Sequence, residues 1–107
     1  MGKEIIVNDN DFDLEVLQSK IPVFVDFWAP WCAPCKMVGP VIEEISEEFT
    51  DKLKVCKLNV DDNPDSTLKY EVRSIPTFII FKEGKELKRS SGAASKEGIV
   101  SLFKDII

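Results

Sequence analysis

Val23-Phe24-Val25-Asp26-Phe27-Trp28-Ala29-Pro30-Trp31-Cys32-Ala33-Pro34-Cys35-Lys36 is the stretch on which the reading of this 107-residue chain turns. Its first half is almost continuously apolar, the pattern of a strand covered on both faces. Its second half carries two cysteines three positions apart. A dithiol at that spacing can close into a small disulfide and reopen, so it can carry two electrons. The thiolate is the attacking species, and its attack on another disulfide passes through a mixed disulfide.

Outward from that stretch, apolar periodicity divides the chain into one βαβαβαββα series. A short first strand is expected over 3–7. Residues 8–10, Asn-Asp-Asn, offer N-cap candidates for a helix carrying Phe12, Val16 and Leu17 on one face. The apolar strand over 21–28 leads into the dithiol. A helix beginning near Pro34 follows, with Val38, Val41, Ile42, Ile45 and Phe49 at helical spacing. Pro40 sits inside it and is expected to kink it. Another buried strand is expected over 53–60. Asn63-Pro64 reads as an N-cap with proline at the first helical position, opening a short helix to about Tyr70. Strands over 77–82 and 86–91 flank Glu83-Gly84-Lys85, a hairpin signal. A last helix from near Ser95 should bury Ile99, Leu102, Phe103 and Ile106. The expected fold class is α/β: a central mixed five-stranded sheet flanked by four helices, in one domain over 1–107.

Composition removes several function classes. Lys and Arg number 14 against 19 Asp and Glu, a formal net charge of −5, which argues against a nucleic-acid partner. No apolar stretch approaches the roughly 18 residues that span a membrane. Met1-Gly2-Lys3-Glu4 leads straight into Ile5-Ile6-Val7 with no signal-peptide apolar region, and position 6 is Ile where myristoylation wants Ser or Thr. A cytoplasmic location is expected. The 5 glycines are scattered and form no phosphate-cradling loop.

The 3 cysteines are an odd count, which argues against a framework of structural disulfides. A zinc site on Cys32 and Cys35 would need two more ligands, and the chain has no His and only Cys56 beyond the pair. Covalent haem needs His directly after the second cysteine, where Lys36 stands. An iron–sulfur cluster normally takes four cysteines. No metal is expected. Cys32 falls at the start of the following helix, where unpaired backbone N–H groups and the helix dipole favour a negative sulfur. Cys35, one turn in, is expected to be less exposed and to attack Cys32 once a substrate is attached. A His between the cysteines would stabilise the reduced form; Ala33-Pro34 stands there instead, so the dithiol is expected to act as a reductant.

Asp26 interrupts the apolar strand. A carboxylate there is costly to desolvate, so its pKa should rise, and a raised acid near a thiol exchanges protons at neutral pH. Lys57, in the strand over 53–60, is its expected partner. Alternation places Cys56 on the opposite face from Lys57. There it reads as a small buried hydrophobe, with regulatory oxidation as the sharper alternative. Glu43, Glu44, Glu47 and Glu48 make an acidic stripe that reads as a solvated helix face. Lys82, Lys85, Lys88 and Arg89 read as guards of an exposed sheet edge.

With these residues assembled, the chain resembles the thioredoxin family from about Ile5 to its C-terminus. The matching motifs are Asp26 through Cys32 into Cys35-Lys36, Pro40, Lys57, Asp61 to Pro64, Ile75-Pro76-Thr77, Gly84 and Gly92. The resemblance implies the thioredoxin fold and protein-disulfide reductase activity by reversible dithiol–disulfide exchange, serving cell redox homeostasis. It implies Cys32 as nucleophile, Cys35 as resolving thiol, and Asp26 with Lys57 as a buried pair that assists proton transfer. A lowered Cys32 pKa belongs to the same implication, since thioredoxins are themselves a standing example of it. Pro76 is implied to be cis and to face the dithiol, with the Ile75 backbone pairing to the substrate strand. Trp31, Ala33, Pro34, Ile75, Pro76 and Gly92 match an apolar docking surface around Cys32. The implied partners are disulfide-containing proteins and a thioredoxin reductase drawing on NADPH or ferredoxin. No bound cofactor is needed beyond the redox-active cysteines, and a monomer is expected.

Read from the residues alone, Pro76 fits an ordinary trans proline opening a strand, Gly92 a turn residue and Trp28 core packing. The chain also departs from the family pattern. Ala33 stands where Gly is usual, Ser74 where Gly is common and Ser91 where an apolar residue is common, which bears on potential and substrate preference. Two other function classes remain: a rigid binding module with an incidental dithiol, and an oxidant or isomerase. The absent His and absent signal peptide disfavour the second.

Overall fold

The computed structural model describes residues 2–107. Its strands are β1 (Ile5–Ile6), β2 (Val23–Trp28), β3 (Lys54–Asn59), β4 (Thr77–Lys82) and β5 (Lys85–Ser91). Its helices are α1 (Ala33–Glu48), α2 (Pro64–Lys69) and α3 (Lys96–Val100), with a π-helical turn over Asp13–Leu17. One sheet runs in the order β1-β3-β2-β4-β5. β3 is parallel to both β1 and β2, β4 is antiparallel to β2, and the β4–β5 hairpin closes the far edge.

The two-residue period of β2, β3 and β4 sorts their side chains into two cores. Val25, Phe27, Cys56, Leu58, Ile79 and Phe81 join Phe12 and Val16 of the first helical segment on one face. Phe24, Val55, Phe78 and Ile80 join Val38, Ile42 and Ile45 of α1 and Ile99 and Phe103 at the C-terminal end on the other. Phe24 stacks on Phe78 and meets Phe103 edge-on. Each such buried Phe contributes roughly 2–3 kcal/mol of apolar transfer. Sheet and α1 thus form the packed base that positions the dithiol.

Several expectations need correction. The first strand is reduced to Ile5–Ile6, and Ile6 is 75% exposed, so only Val7 of that segment enters the core. The first helix is a π-helical turn, closed by Gln18 N–H on the Asp13 carbonyl, with no side-chain cap. Its expected cap is engaged elsewhere: the Asp9 carboxylate accepts from the Asp65 and Ser66 amides at 3.1 and 2.8 Å. Asp9 therefore caps α2 in place of Asn63. Asn63 turns inward instead, donating to Asn8 Oδ1 and the Asn59 carbonyl and accepting from Asp9 N–H. The last helix starts at the Ser95 cap as expected, with Ser95 Oγ accepting from Gly98 N–H. It is regular only to Val100, beyond which Leu102 and Phe103 are held by i→i+3 bonds.

The hairpin turn is two residues, Glu83 and Gly84, both with positive φ (53° and 79°), the geometry that matches strand twist. Lys85 accordingly belongs to β5. A register shift between Ile80 and Phe81 leaves Leu87 unpaired as a bulge. β5 is exposed along its whole length, and Lys82, Lys85, Lys88 and Arg89 lie on that edge pair. Arg89 is held by Glu86 and by the Tyr70 carbonyl.

Candidate redox site

Cys32 is the N-cap of α1, in extended conformation (φ −88°, ψ 108°), with Pro34 in the first turn. Its sulfur accepts a hydrogen bond from Cys35 N–H at 3.2 Å, so the sulfur takes the place of a capping oxygen. Cys32 and Cys35 are joined in a disulfide with Cα atoms 5.2 Å apart. Cys32 Sγ also lies 3.9 Å from the Ile75 carbonyl oxygen. The expected contrast in exposure is absent. Cys32 is 4% and Cys35 5% exposed, because Trp28, Val60 and Ile75 pack over the pair together with Ala29. What separates the two sulfurs is position on the helix: among the described residues only Cys32 receives an end-of-helix N–H.

The loop opposite the dithiol ends in a cis Ile75–Pro76 bond. Pro76 is buried and Ile75 half-buried, so Pro76 forms the floor of this surface and not part of its exposed face. The Pro76 carbonyl accepts from Gly92 N–H at 2.8 Å, and Gly92 has φ +92°, a conformation that favours glycine. Thr77 Oγ1 donates to the Ser74 carbonyl and lies 3.2 Å from Ser91 Oγ. The two serines that depart from the family pattern are thereby tied to one threonine. Ala33 and Pro34 are exposed. Trp31 is 69% exposed, and its indole N–H donates to Asp61 Oδ2 at 2.9 Å. Together Trp31, Val60, Thr67, Val72, Ser74 and Ile75 line a shallow groove beside the disulfide.

Beneath it, Asp26 is 2% exposed, and its Oδ1 has no hydrogen-bond partner among the described residues. Burial pushes its pKa up to about 7, against the opposing pull of the Lys57 ammonium and with a smaller push from Glu4. Lys57 stands directly across from Asp26 in the β2–β3 register. Its ammonium rests over the Trp28 ring, 4.5 Å from the centroid. Cys56 lies on the opposite face, fully buried, with its thiol pushed up to about 12 by desolvation.

The family model described as Thioredoxin matches residues 3–105. The chain belongs to the thioredoxin family. Thioredoxin 1 of Synechococcus elongatus is 52% identical over 96 residues, 90% of each chain. The thioredoxin of Acidithiobacillus ferridurans is 49% identical over 99 residues, 92% of each. The chloroplastic M-type thioredoxin of Chlamydomonas reinhardtii is 51% identical over 94 residues, 88% of this chain and 67% of its own length. The mixed five-stranded sheet with flanking helices is the thioredoxin fold. The activity that goes with family and cysteine pair is dithiol–disulfide exchange with proteins.

Sequence reasoning from the residues located the dithiol, Asp26 and Lys57, and the family resemblance the Ile75–Pro76 loop. It missed the indole–ammonium contact and the walls supplied by Val60, Thr67 and Val72. Val60 was findable as the residue directly after β3, level with the dithiol. Nothing local marks Val72.

Proposed function

We propose that this thioredoxin-family chain is a general reductant of protein disulfides, with Cys32 as nucleophile and Cys35 as resolving thiol. One observation carries the assignment of roles: Cys32 Sγ sits at the α1 N-terminus and receives the Cys35 N–H, a position that stabilises negative charge on that sulfur alone. The Cys32 thiolate attacks one sulfur of a substrate disulfide. A mixed disulfide forms, and the first substrate thiolate leaves and takes up a proton. Cys35 then gives its proton to the Asp26 carboxylate and attacks Cys32 Sγ. The second substrate thiolate leaves, and the Cys32–Cys35 disulfide is formed. Two electrons have passed to the substrate, and two thiols of the chain have been spent.

Asp26 suits the proton step because its pKa, at about 7, matches a neutral working pH. Lys57 moderates that value by its charge. Trp31, Ala33, Pro34, Ile75, Pro76 and Gly92 form the substrate-docking surface, with the Ile75 backbone offered to an extended substrate segment. The oxidised pair is reopened by a thioredoxin reductase, and the chain holds no resident cofactor or metal. It works as a cytoplasmic monomer in redox homeostasis. No helix among the described residues is long and apolar enough to cross a membrane.

Insulin-disulfide reduction by the wild type and by Cys35→Ser tests the reading. The wild type should turn over with a dithiol donor, and the variant should stall as a mixed disulfide on Cys32. Full turnover by Cys35→Ser would refute the assignment of roles. A Cys32→Ser/Cys35→Ser double variant that keeps its biological function would point to a binding module.

A further inference from the structure

Asp26, Trp28 and Lys57 share one face of the sheet for a simple reason. Asp26 and Trp28 are two residues apart on β2, and Lys57 is the register partner of Asp26 on β3. An ammonium on that face therefore has two acceptors within reach, a carboxylate and an indole ring. It occupies the ring: Lys57 Nζ is 4.5 Å from the Trp28 centroid. Asp26 Oδ1 is left buried and without a hydrogen-bond partner among the described residues. Indole is the strongest of the aromatic cation acceptors, and the contact strengthens when water is kept away. The same indole packs against the Cys32–Cys35 pair.

We propose that Trp28 is a positioning residue of the redox centre: its ring holds the Lys57 ammonium off Asp26 and so leaves that carboxyl unpaired and free to exchange the Cys35 proton. This rests on the proton-acceptor role proposed above for Asp26. The charges that act on Asp26 are Lys57 from β3 and Glu4 from the segment ahead of β1. Its register partner on β4 is the uncharged Phe78. Among the buried residues of α1, Cys35, Val38, Ile42, Ile45 and Ser46, none carries a charge, and Cys35 is held in the disulfide and does not titrate in the oxidised protein. No other cation is placed to substitute for Lys57 among these groups, so where its ammonium sits decides how easily Asp26 ionises. A carboxylate with an opposite charge at close range ionises at markedly lower pH than an unpaired buried one.

The test is an NMR titration of the Asp26 carboxyl in the oxidised protein, for wild type, Trp28→Leu, Lys57→Met and the double variant. Trp28→Leu should release the ammonium to Asp26 and move the titration down by roughly one to three pH units. Lys57→Met should move it up. Removing the ring also admits water, which lowers the titration whatever Lys57 does, so the cycle is needed to isolate the coupling. In the Lys57→Met background, Trp28→Leu should therefore move the titration less than in the wild type. Equal movements in the two backgrounds, or none in Trp28→Leu, would overturn the proposal. Trp28→Phe keeps a weaker ring face and most of the packing; its titration should fall between wild type and Trp28→Leu, and it carries the same cycle if the Leu variant does not fold. The role of Asp26 is read separately, from the pH dependence of insulin reduction by Asp26→Asn. Unaltered rates there would remove the role and leave the indole–ammonium coupling standing.

Discussion

The sulfur at the mouth of α1 and the sulfur in the middle of β3 are covered to nearly the same degree. Cys32 and Cys35 expose 4% and 5% of their surface, and Cys56 exposes none. Their chemistry differs because of what covers them. Cys32 Sγ faces a backbone N–H at a helix end and the rim of an open groove. Cys56 shares a buried apolar cluster with Val7, Val25, Leu58 and Ile79, and desolvation pushes its thiol pKa up. A negative sulfur is supported in the first place and penalised in the second. Asp26 lies on the far side of the same sheet from Cys56. It shows the intermediate case, a buried acid whose desolvation is partly offset by a nearby ammonium. Burial alone therefore does not silence an ionisable group; the charges and N–H groups around it decide how far its titration is displaced.

The largest test of this contrast is kinetic. Cys32→Ser should lower insulin-disulfide reduction by at least ~10³-fold, since it removes the attacking atom. Cys56→Ala should leave the rate within a factor of about two, because it lies across the sheet from the reacting atoms. Comparable losses in the two folded variants would break the comparison.

Next in size is a stability effect. The folded pKa of Asp26, about 7, lies above the ordinary carboxyl value of 3.8, so near pH 5–6 the native protein holds a proton that the unfolded chain has released. The stability of the oxidised protein should be greatest below pH 4 as far as this group is concerned. It should fall as pH rises toward 7 and level off above. Asp26→Asn removes that loss. The variant should be more stable than wild type at pH 8 by a few kcal/mol, on the order of 1.4 kcal/mol per pH unit of displacement. Denaturant melts across pH 4–9 read it directly, and parallel curves for the two proteins would contradict it. The same variant should reduce disulfides more slowly, most visibly near neutral pH.

A smaller effect concerns the silent thiol. Cys56→Ser puts a hydroxyl among apolar walls and should cost about 1–3 kcal/mol, more than Cys56→Ala. With its pKa pushed up to about 12, Cys56 should resist iodoacetamide at pH 8 in the folded protein. Fast labelling would show that it is not sealed. The smallest expected change is in a polar network with no chemistry of its own. Asp9→Ala removes the cap from α2 and should cost about 1 kcal/mol in melts, while leaving the rate of disulfide reduction unaltered.

Much of this was legible in the sequence because its causes are local. The apolar run through β2, the helical spacing of Val38, Ile42 and Ile45, the Ser95 cap and the Glu83-Gly84 turn each depend on neighbours within a few residues. The faces of Cys56 and Lys57 followed from strand alternation. The errors share the opposite character. Asp9 did not begin the first helix because α2, more than fifty residues later, takes its carboxylate. Cys35 is not better covered than Cys32 because Val60 and Ile75, from two other segments, close over both.

By itself the sequence determined that a dithiol would sit at a helix N-terminus after a buried strand, with an acid and a lysine available nearby. Spacing and alternation are properties of consecutive residues. Only the tertiary structure decided how those groups are shared: which amides Asp9 caps, what covers the two sulfurs, and that Lys57 rests on Trp28 while Asp26 Oδ1 goes unpaired. Competition among acceptors is settled by distances between segments far apart in the chain, and those distances exist only once the sheet has assembled.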